Sequence, residues 1–258
     1  MKDTLIFALK SSGNLLLNYF DKPLKTKCKE SQSSIVTEAD IDSDKIIIDI
    51  IRKKFPEHNI ISEESGFINN ASEYTWVIDP LDGTSNFAVG IPWFGVLISL
   101  FVHNTPVMGG AYLPVQDSLY IAENDKGTFK NGTRLPALPN KDLKESLIAL
   151  CMDYPEDRNT LETNMKIYKR VISRSRNQRA TNSLIDFIYV AEGKFGGVIN
   201  FNTRIWDISA LKVIISETGG RLLDISGDEL QFSLDEDIIK KNFPVIAGND
   251  QIIASLIS

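Results

Sequence analysis

Residues 76 to 87 read WVIDPLDGTSNF. A short apolar run, Trp76-Val77-Ile78, stops at Asp79. A second acid, Asp82, follows three residues on, and Gly83, Thr84, Ser85 and Asn86 come next. An apolar run that ends on carboxylates and turns through Pro80 and Gly83 reads as a buried strand opening onto a polar site. Two hard anionic side chains beside a Gly-Thr-Ser turn suit a metal-dependent phosphate site, since Mg²⁺ takes oxygen ligands and turn amides face an anion.

Working outward, the flanking segments mix helices and strands in blocks. Leu5, Leu9, Leu16 and Phe20 share one face, which predicts a helix over 4–20. Lys22 to Ser34 is polar and predicts a loop or short hairpin. Ile47, Ile50, Ile51 and Phe55 predict a second helix from Asp40, ended by Pro56, with Asp40 alone reading most simply as its N-cap. Asn59-Ile60-Ile61 predicts a short strand, with Glu63-Glu64 just past it. Downstream, Trp93–Val102 is apolar nearly throughout and predicts a strand covered on both faces. Further strands are predicted at 106–113, 117–122 and 127–135, with Asn131-Gly132 as a hairpin signal.

Residues 136–145 predict a connection between an N-terminal half, 1–140, and a C-terminal half, 141–258, joined as one unit. The second half predicts strands at 146–152, 197–199, 222–223 and 245–246. Its helices are predicted at 161–173, 182–192 and 206–218, and from Asn249. Gly219-Gly220 closes the third of these helices. The pattern predicts a layered α/β or α+β fold rather than strict βαβ alternation.

Composition narrows the function. With 258 residues, 43% of them hydrophobic, the chain can bury a sizeable core. A net charge of −6 argues against a broad nucleic-acid surface. The two cysteines, Cys28 and Cys151, lack pair spacing, so a reducing compartment is expected, without a disulfide framework. The N-terminal stretch is too often interrupted by polar residues to span a membrane, which predicts a cytoplasmic protein.

The two histidines, His58 and His103, form no triad or zinc site, and neither GxxxxGK[ST] nor GxGxxG occurs. Chemistry therefore falls to carboxylates, hydroxyls and hard cations. Asp207, at a predicted helix start, heads a stripe of Ala210, Leu211 and Ile214 that should face the core. Capping the helix is the plainest role for that acid.

These motifs together resemble the inositol monophosphatase family of Mg²⁺-dependent, lithium-sensitive phosphatases. DPLDGTSNF is similar to the family signature DP-(I/L)-DGT-x-NF, and WDISALKVIISETGG to its second, a WD followed by a helix ending in E-x-GG. VTEAD at 36–40, SEES at 62–65, KGTFKNG at 126–132 and AGN at 247–249 add shorter matches in the right order.

The resemblance implies a five-layer αβαβα sandwich, shared with fructose-1,6-bisphosphatase, and often a dimer. It implies two or three Mg²⁺ ions. Glu63, Asp79 and the Leu81 carbonyl would hold the first and Asp79, Asp82 and Asp207 the second, with a third near Glu63. Thr84, backed by Asp40, would orient and help deprotonate the attacking water. The amides of Gly83, Thr84 and Ser85 would hold the phosphate.

The alcohol side departs from the pattern. Where many inositol-selective members carry G-(S/T)-A-A, this chain has Thr181-Asn182-Ser183-Leu184. Where they carry a Glu seven residues before the metal-binding Asp, it has Asn200. Asn182 and Asn200 are the expected alcohol contacts, or else ordinary loop and cap residues. Arg204 and Lys194 are cations near enough in sequence to meet a second anionic group, or else solvated charges. The implied activity is hydrolysis of a small phosphate ester, inositol monophosphate first. Fructose 1,6-bisphosphate, histidinol phosphate and 3′-phosphoadenosine 5′-phosphate are alternatives, as is a regulatory role on RNA or transcription machinery.

Overall fold

The structure is a computed structural model that describes residues 1–22, 27–28, 35–153 and 158–257. Most of the loop expected over 22–34 lies outside the described residues. Within it Lys27–Cys28 (β1) pairs antiparallel with Ile35–Val36 (β2).

Two helices open the chain, α1 at Lys2–Tyr19 and α2 at Glu38–Lys54. Strands β3 (Asn59–Ser62), β4 (Gly66–Ile68) and β5 (Tyr74–Asp82) follow, then the short helix α3 (Thr84–Ala88). A meander comes next: β6 (Gly95–Val102), β7 (Thr105–Leu113), β8 (Ser118–Glu123), β9 (Gly127–Lys130) and β10 (Thr133–Arg134). These strands form a sheet in the order β10-β9-β8-β7-β6-β5-β3-β4, antiparallel except where β3 runs parallel to β5.

The remainder builds β11 (Leu147–Cys151), α4 (Arg158–Arg174), β12 (Asn177–Arg179), α5 (Leu184–Ala191), β13 (Gly197–Asn200), α6 (Ile205–Ser216), β14 (Arg221–Asp224), β15 (Val245–Gly248) and α7 (Asp250–Ile257). Its sheet runs β12-β11-β13-β15-β14.

Alternation along β6 explains the layering. Val96, Ile98 and Leu100 join the core under α1 and α2, whereas Leu97 and Phe101 join the core shared with α5 and α6. A strand buried on both faces must be apolar nearly throughout, as this one is apart from the paired Ser99. The far face of the second sheet is covered by α4 and α7 through Val171, Ile252 and Leu256 against Ile148, Leu150 and Ile199. The layers are therefore αβαβα.

Helix α6 lies between the sheets and is apolar almost all round, as a sandwiched helix must be. It sits close on β7 because Gly109 has no side chain: a Cβ there would meet the Ala210 carbonyl oxygen at 2.3 Å. Ser99 of β6 and Ser209 of α6 hydrogen-bond at 2.7 Å beside that contact. The β8–β9 hairpin is also fastened to these helices. Tyr120 and Lys130 both donate to the Glu192 carboxylate, at 2.9 and 2.6 Å, and Thr128 donates to the Ile214 carbonyl at 2.7 Å.

The hairpin signal at Asn131-Gly132 is borne out, and the segment 127–135 is two strands, β9 and β10, folded there. Both turn residues have positive φ, as a tight hairpin turn requires. Several expectations need correction. Asp40 is not the N-cap of α2. Thr37 is, and Asp40 stands at the third helical position, accepting the Thr37 amide at 2.8 Å in a capping box. The helix predicted from Asn182 starts at Leu184 with Ser183 as its cap. Strands β4 and β12 were not expected.

Gly109→Ala should destabilise the fold by about 1–3 kcal/mol, because overpacking must push α6 off the sheet. Urea unfolding would show a lower midpoint. A wild-type midpoint would mean that α6 is not held at that distance by the glycine.

Candidate active site

The end of β5 carries the decisive local feature. Side chains alternate along a strand, so residues three apart normally point to opposite faces. Between Asp79, opposite Leu97, and Asp82, opposite Gly95, β5 holds one residue more than β6. This bulge turns Leu81 into the α1/α2 core and leaves both acids on the α6 side. Pro80 has no N–H to lose to the disrupted ladder.

Asp207 meets them from the first turn of α6. Carboxylate oxygens of Asp79, Asp82 and Asp207 all lie within 4.8 Å of one another. Asp79 is buried and the other two half-buried. Each accepts a backbone N–H from a different place: Asp79 from Leu81 at 3.0 Å, Asp82 from Leu184 at 2.6 Å, and Asp207 from Arg204 at 2.6 Å. Glu63 follows β3, where its amide donates to the Ile78 carbonyl at 3.2 Å, beside Asp79 in the parallel register. It lies outside the tight triple, yet its charge raises the pKa of both Asp79 and Asp82.

Burial is the largest cause lifting Asp79 and Asp82 well above the usual carboxylate range, with neighbouring acids adding to it. Burial likewise pushes Asp207 up to about 6, against the pull of the Arg204 amide. An all-carboxylate donor set of this kind fits a hard divalent cation such as Mg²⁺. Bound positive charge would relieve the repulsion that raises these values.

The next turn places a hydroxyl at the cluster. Thr84 Oγ1 lies 2.9 Å from Asp40 Oδ1 and 2.9 Å from the Leu81 carbonyl oxygen. Gly83 has φ +86°, and a Cβ there would meet the Trp93 carbonyl oxygen at 2.5 Å, so the turn demands glycine. The first amides of α3 have no acceptor within the helix and point away from it.

Opposite this turn stands the segment 181–184. Asn86 Nδ2 donates to the Thr181 carbonyl at 2.9 Å. Asp186, an acid in an otherwise apolar helix, accepts the amides of Thr181 and Asn182 at 2.9 and 3.0 Å and the Cys151 thiol at 3.2 Å. Burial, then the Asp186 charge, raises the Cys151 pKa, so this free thiol is a packing group and not a nucleophile.

Asn182 has φ +53° and sends its amide to Asp153 at 2.8 Å; Asn202 reaches the other oxygen of Asp153 at 3.3 Å. Asn200 Oδ1 accepts the Asn202 amide at 3.1 Å. Asn182 and Asn200 thus share one polar rim, to which the structure adds Asp153 and Asn202. Asp153 was detectable as the acid just past a strand, and Asp186 as the charge within Leu184-Ile185-Asp186-Phe187-Ile188.

The side chains of the other expected groups have partners of their own. Lys194 pairs with Glu192 and covers the Tyr189 ring, 4.6 Å from its centroid. Arg204 donates from its guanidinium to the Lys240 carbonyl. His58 accepts from Trp76 Nε1 at 3.1 Å and stacks against Phe55 and Tyr74, with burial lowering its pKa. It supports the fold, not the site.

The match to known proteins follows this geometry. The model of the inositol monophosphatase family matches residues 2–257. The chain belongs to that family. It is 34% identical over 216 residues to the fructose-1,6-bisphosphatase/inositol-1-monophosphatase of Aquifex aeolicus, covering 83% of this chain and 81% of that one. It is 29% identical to the Nus factor SuhB of Escherichia coli strain K12, covering 100% of this chain and 94% of the relative. The solved structure of the extragenic suppressor protein SuhB from Bartonella henselae has a TM-score of 0.88 at 30% identity, over 99% and 96% of the two chains. These relatives bear out the family and fold expected from the two signatures. Among the described residues no helix is long and apolar enough to cross a membrane.

The raised carboxylates fix a pH dependence. A raised pKa means that the folded chain holds protons that the unfolded chain, with aspartates near ~3.9, has lost. The cluster's contribution to stability in EDTA therefore falls as pH rises from that value through the folded ones, about 6 for Asp207. Mg²⁺ needs the deprotonated oxygens. The rise in Tm on adding Mg²⁺ should be larger at pH 8 than at pH 5, read by differential scanning fluorimetry. An equal rise at both would mean that the cluster is not the binding site.

Proposed function

We propose that this protein is a Mg²⁺-dependent phosphomonoesterase that hydrolyses a small phosphate ester, with inositol monophosphate as the first candidate substrate. The observation that carries the reading is the convergence of Asp79, Asp82 and Asp207 beside the Thr84–Asp40 pair. In this reading Glu63, Asp79 and the Leu81 carbonyl would hold one ion. Asp79, Asp82 and Asp207 would hold a second, and a third would sit near Glu63. Mg²⁺ bound there would supply charge to neutralise the phosphate, acidify a water and stabilise the leaving alkoxide.

The chain's own residues do the rest. Thr84, donating to Asp40 or to the Leu81 carbonyl, keeps lone pairs free to accept a hydrogen bond from water and aim it. Asp40 also accepts the Thr37 amide and hydroxyl, at 2.8 and 2.6 Å, so it is held in one orientation. The amides of Gly83, Thr84 and Ser85 bind phosphate oxygens at the start of α3, preorganised for charge. Attack by water in line with the leaving oxygen releases inorganic phosphate without a covalent phospho-enzyme.

Asn182 and Asn200, with Asp153 and Asn202, present donors and acceptors to the alcohol. The alternatives of the same chemistry are fructose 1,6-bisphosphate, histidinol phosphate and 3′-phosphoadenosine 5′-phosphate. A cytoplasmic homodimer inhibited by lithium belongs to the proposal.

The name of the E. coli relative supports a second reading, an assembly role with transcription machinery. The two readings separate by experiment. Purified protein with Mg²⁺ should release phosphate from at least one of these four esters, and EDTA should abolish release. No turnover on a broad panel, together with specific capture of RNA or transcription proteins, would replace the first reading by the second.

Asp79→Asn should lower kcat by about 10²-fold or more, since it is placed to serve two ions. The variant should keep its circular dichroism and, in EDTA at pH 8, show a Tm at or above that of the wild type, because one repelling charge is gone. Retained activity would remove Asp79 from the metal site.

A further inference from the structure

Helix α2 turns a buried polar seam toward the site. Asp40, Ser43 and Asp44 lie at i, i+3 and i+4, on one face, with relative exposures of 0%, 0% and 3%. Each grips a different segment. Asp40 holds Thr84; Ser43 donates to the Pro80 carbonyl at 2.7 Å, inside the β5 bulge; and Asp44 accepts the hydroxyls of both Ser62 and Ser65, one on each carboxylate oxygen. Ser62 and Ser65 bracket Glu63 in the turn between β3 and β4.

The Glu63 amide, bonded to the Ile78 carbonyl, ties the turn to β5, and Asp44 ties it to α2. Behind it opens a cavity of about 440 Å³ lined by Asp44, Lys45, Ile48, Arg52, Glu64 and Ser65 among others. Side-chain packing does not fill this space, and the two hydroxyl bonds to one carboxylate are what join the turn to α2 beside it. We propose that Asp44 is a positioning residue for Glu63, acting through Ser62 and Ser65, and that it thereby tunes the affinity of the site for its divalent cation. This rests on the phosphatase reading above. One helix then sets both the Glu63 turn and the Thr84 turn, four residues apart along its axis.

The test is direct Mg²⁺ binding, followed by calorimetry and by the Mg²⁺ dependence of Tm, neither of which needs turnover. Asp44→Asn removes the negative charge from both hydroxyl bonds and forces one of them to reverse, with the amide nitrogen donating to the serine oxygen, so the charge-assisted grip on the turn is weakened. The substitution should raise the Mg²⁺ concentration for half-saturation by about tenfold or more, as loss of a ligand's supporting contact does. In phosphate-release assays at saturating Mg²⁺, KM should stay near the wild-type value.

Ser65→Ala, at an exposed position that tolerates truncation, should shift Mg²⁺ affinity in the same direction. Combined with Asp44→Asn it should add less than the sum of the two shifts, because both weaken the same contact. Asp49→Asn, which removes a charge lining the same cavity without touching either serine, should leave Mg²⁺ affinity unchanged.

If Asp44→Asn and Ser65→Ala lower Tm but bind Mg²⁺ as the wild type does, Asp44 is merely structural and the proposal is wrong. If Asp49→Asn shifts affinity equally, the effect is long-range charge and the proposal is again wrong. If the wild type binds Mg²⁺ and the variants shift as expected, the inference stands even where no ester is turned over. A wild type that binds no Mg²⁺ overturns both.

Discussion

Three carboxylates with oxygens within 4.8 Å of one another repel, and partial burial strengthens the repulsion. Such a cluster does not assemble by itself. It exists because the backbone imposes it. Asp79 and Asp82 are brought to one face by a single extra residue in β5, and Asp207 is brought in by the start of a helix wedged between two sheets. Each acid also takes a backbone N–H, from Leu81, Leu184 or Arg204. Bonds of that kind stabilise the charged form and fix its direction at once. The dipole of α6 adds to this at Asp207.

What the cluster requires propagates through the fold. Asp207 is placed only as accurately as α6, and α6 is seated by the missing side chain of Gly109 and by the Ser99–Ser209 pair. Asp79 and Asp82 are placed only as accurately as the bulge, where Ser43 of α2 takes the Pro80 carbonyl. Ser43 in turn lies 2.6 Å from Ser12 of α1. The outer helix layer and the middle one therefore both reach the site through buried hydroxyls set in otherwise apolar interfaces. Buried polar groups that are fully paired specify one arrangement where an apolar contact would tolerate several.

The strongly periodic elements were legible in the sequence. The nearly continuous apolar run of β6 predicts a strand covered on both faces, and its residues do divide between two cores. The acids and the Gly-Thr-Ser turn were legible as types in a pattern. The bulge was not, because register belongs to a pair of strands and only one of them is visible at a time. Strands β4 and β12 escaped because three residues at a sheet edge carry no alternation to detect. Asp40 was misread as a cap because Thr37 competes for that place, and a carboxylate at the third position closes the same box from the other side. Asp153 and Asp186 belong to no motif in the sequence. Their significance lies in Asn182, Asn202, Thr181 and Cys151, which come near only on folding.

In the proposed phosphatase reading, the phosphate side and the alcohol side of the site are not independent modules. Asn86 of the metal-side turn holds the Thr181 carbonyl, Asp82 takes the Leu184 amide, and Ser183 packs tightly on Gly83, 3.2 Å from where a Cβ there would sit. The backbone of 181–184 is therefore fixed by the same groups that build the anionic cluster, with Asp186 holding it from beneath. A change of alcohol specificity cannot proceed by moving this segment without disturbing Asp82. On that reading it would proceed through the side chains that leave a fixed backbone, such as Asn182, Asn200, Asn202 and Asp153. The departure of this chain from the inositol-selective pattern falls at Asn182 and Asn200 and spares the acids. That is the distribution expected when one part of a site is constrained by charge and its neighbour only by shape and hydrogen bonding.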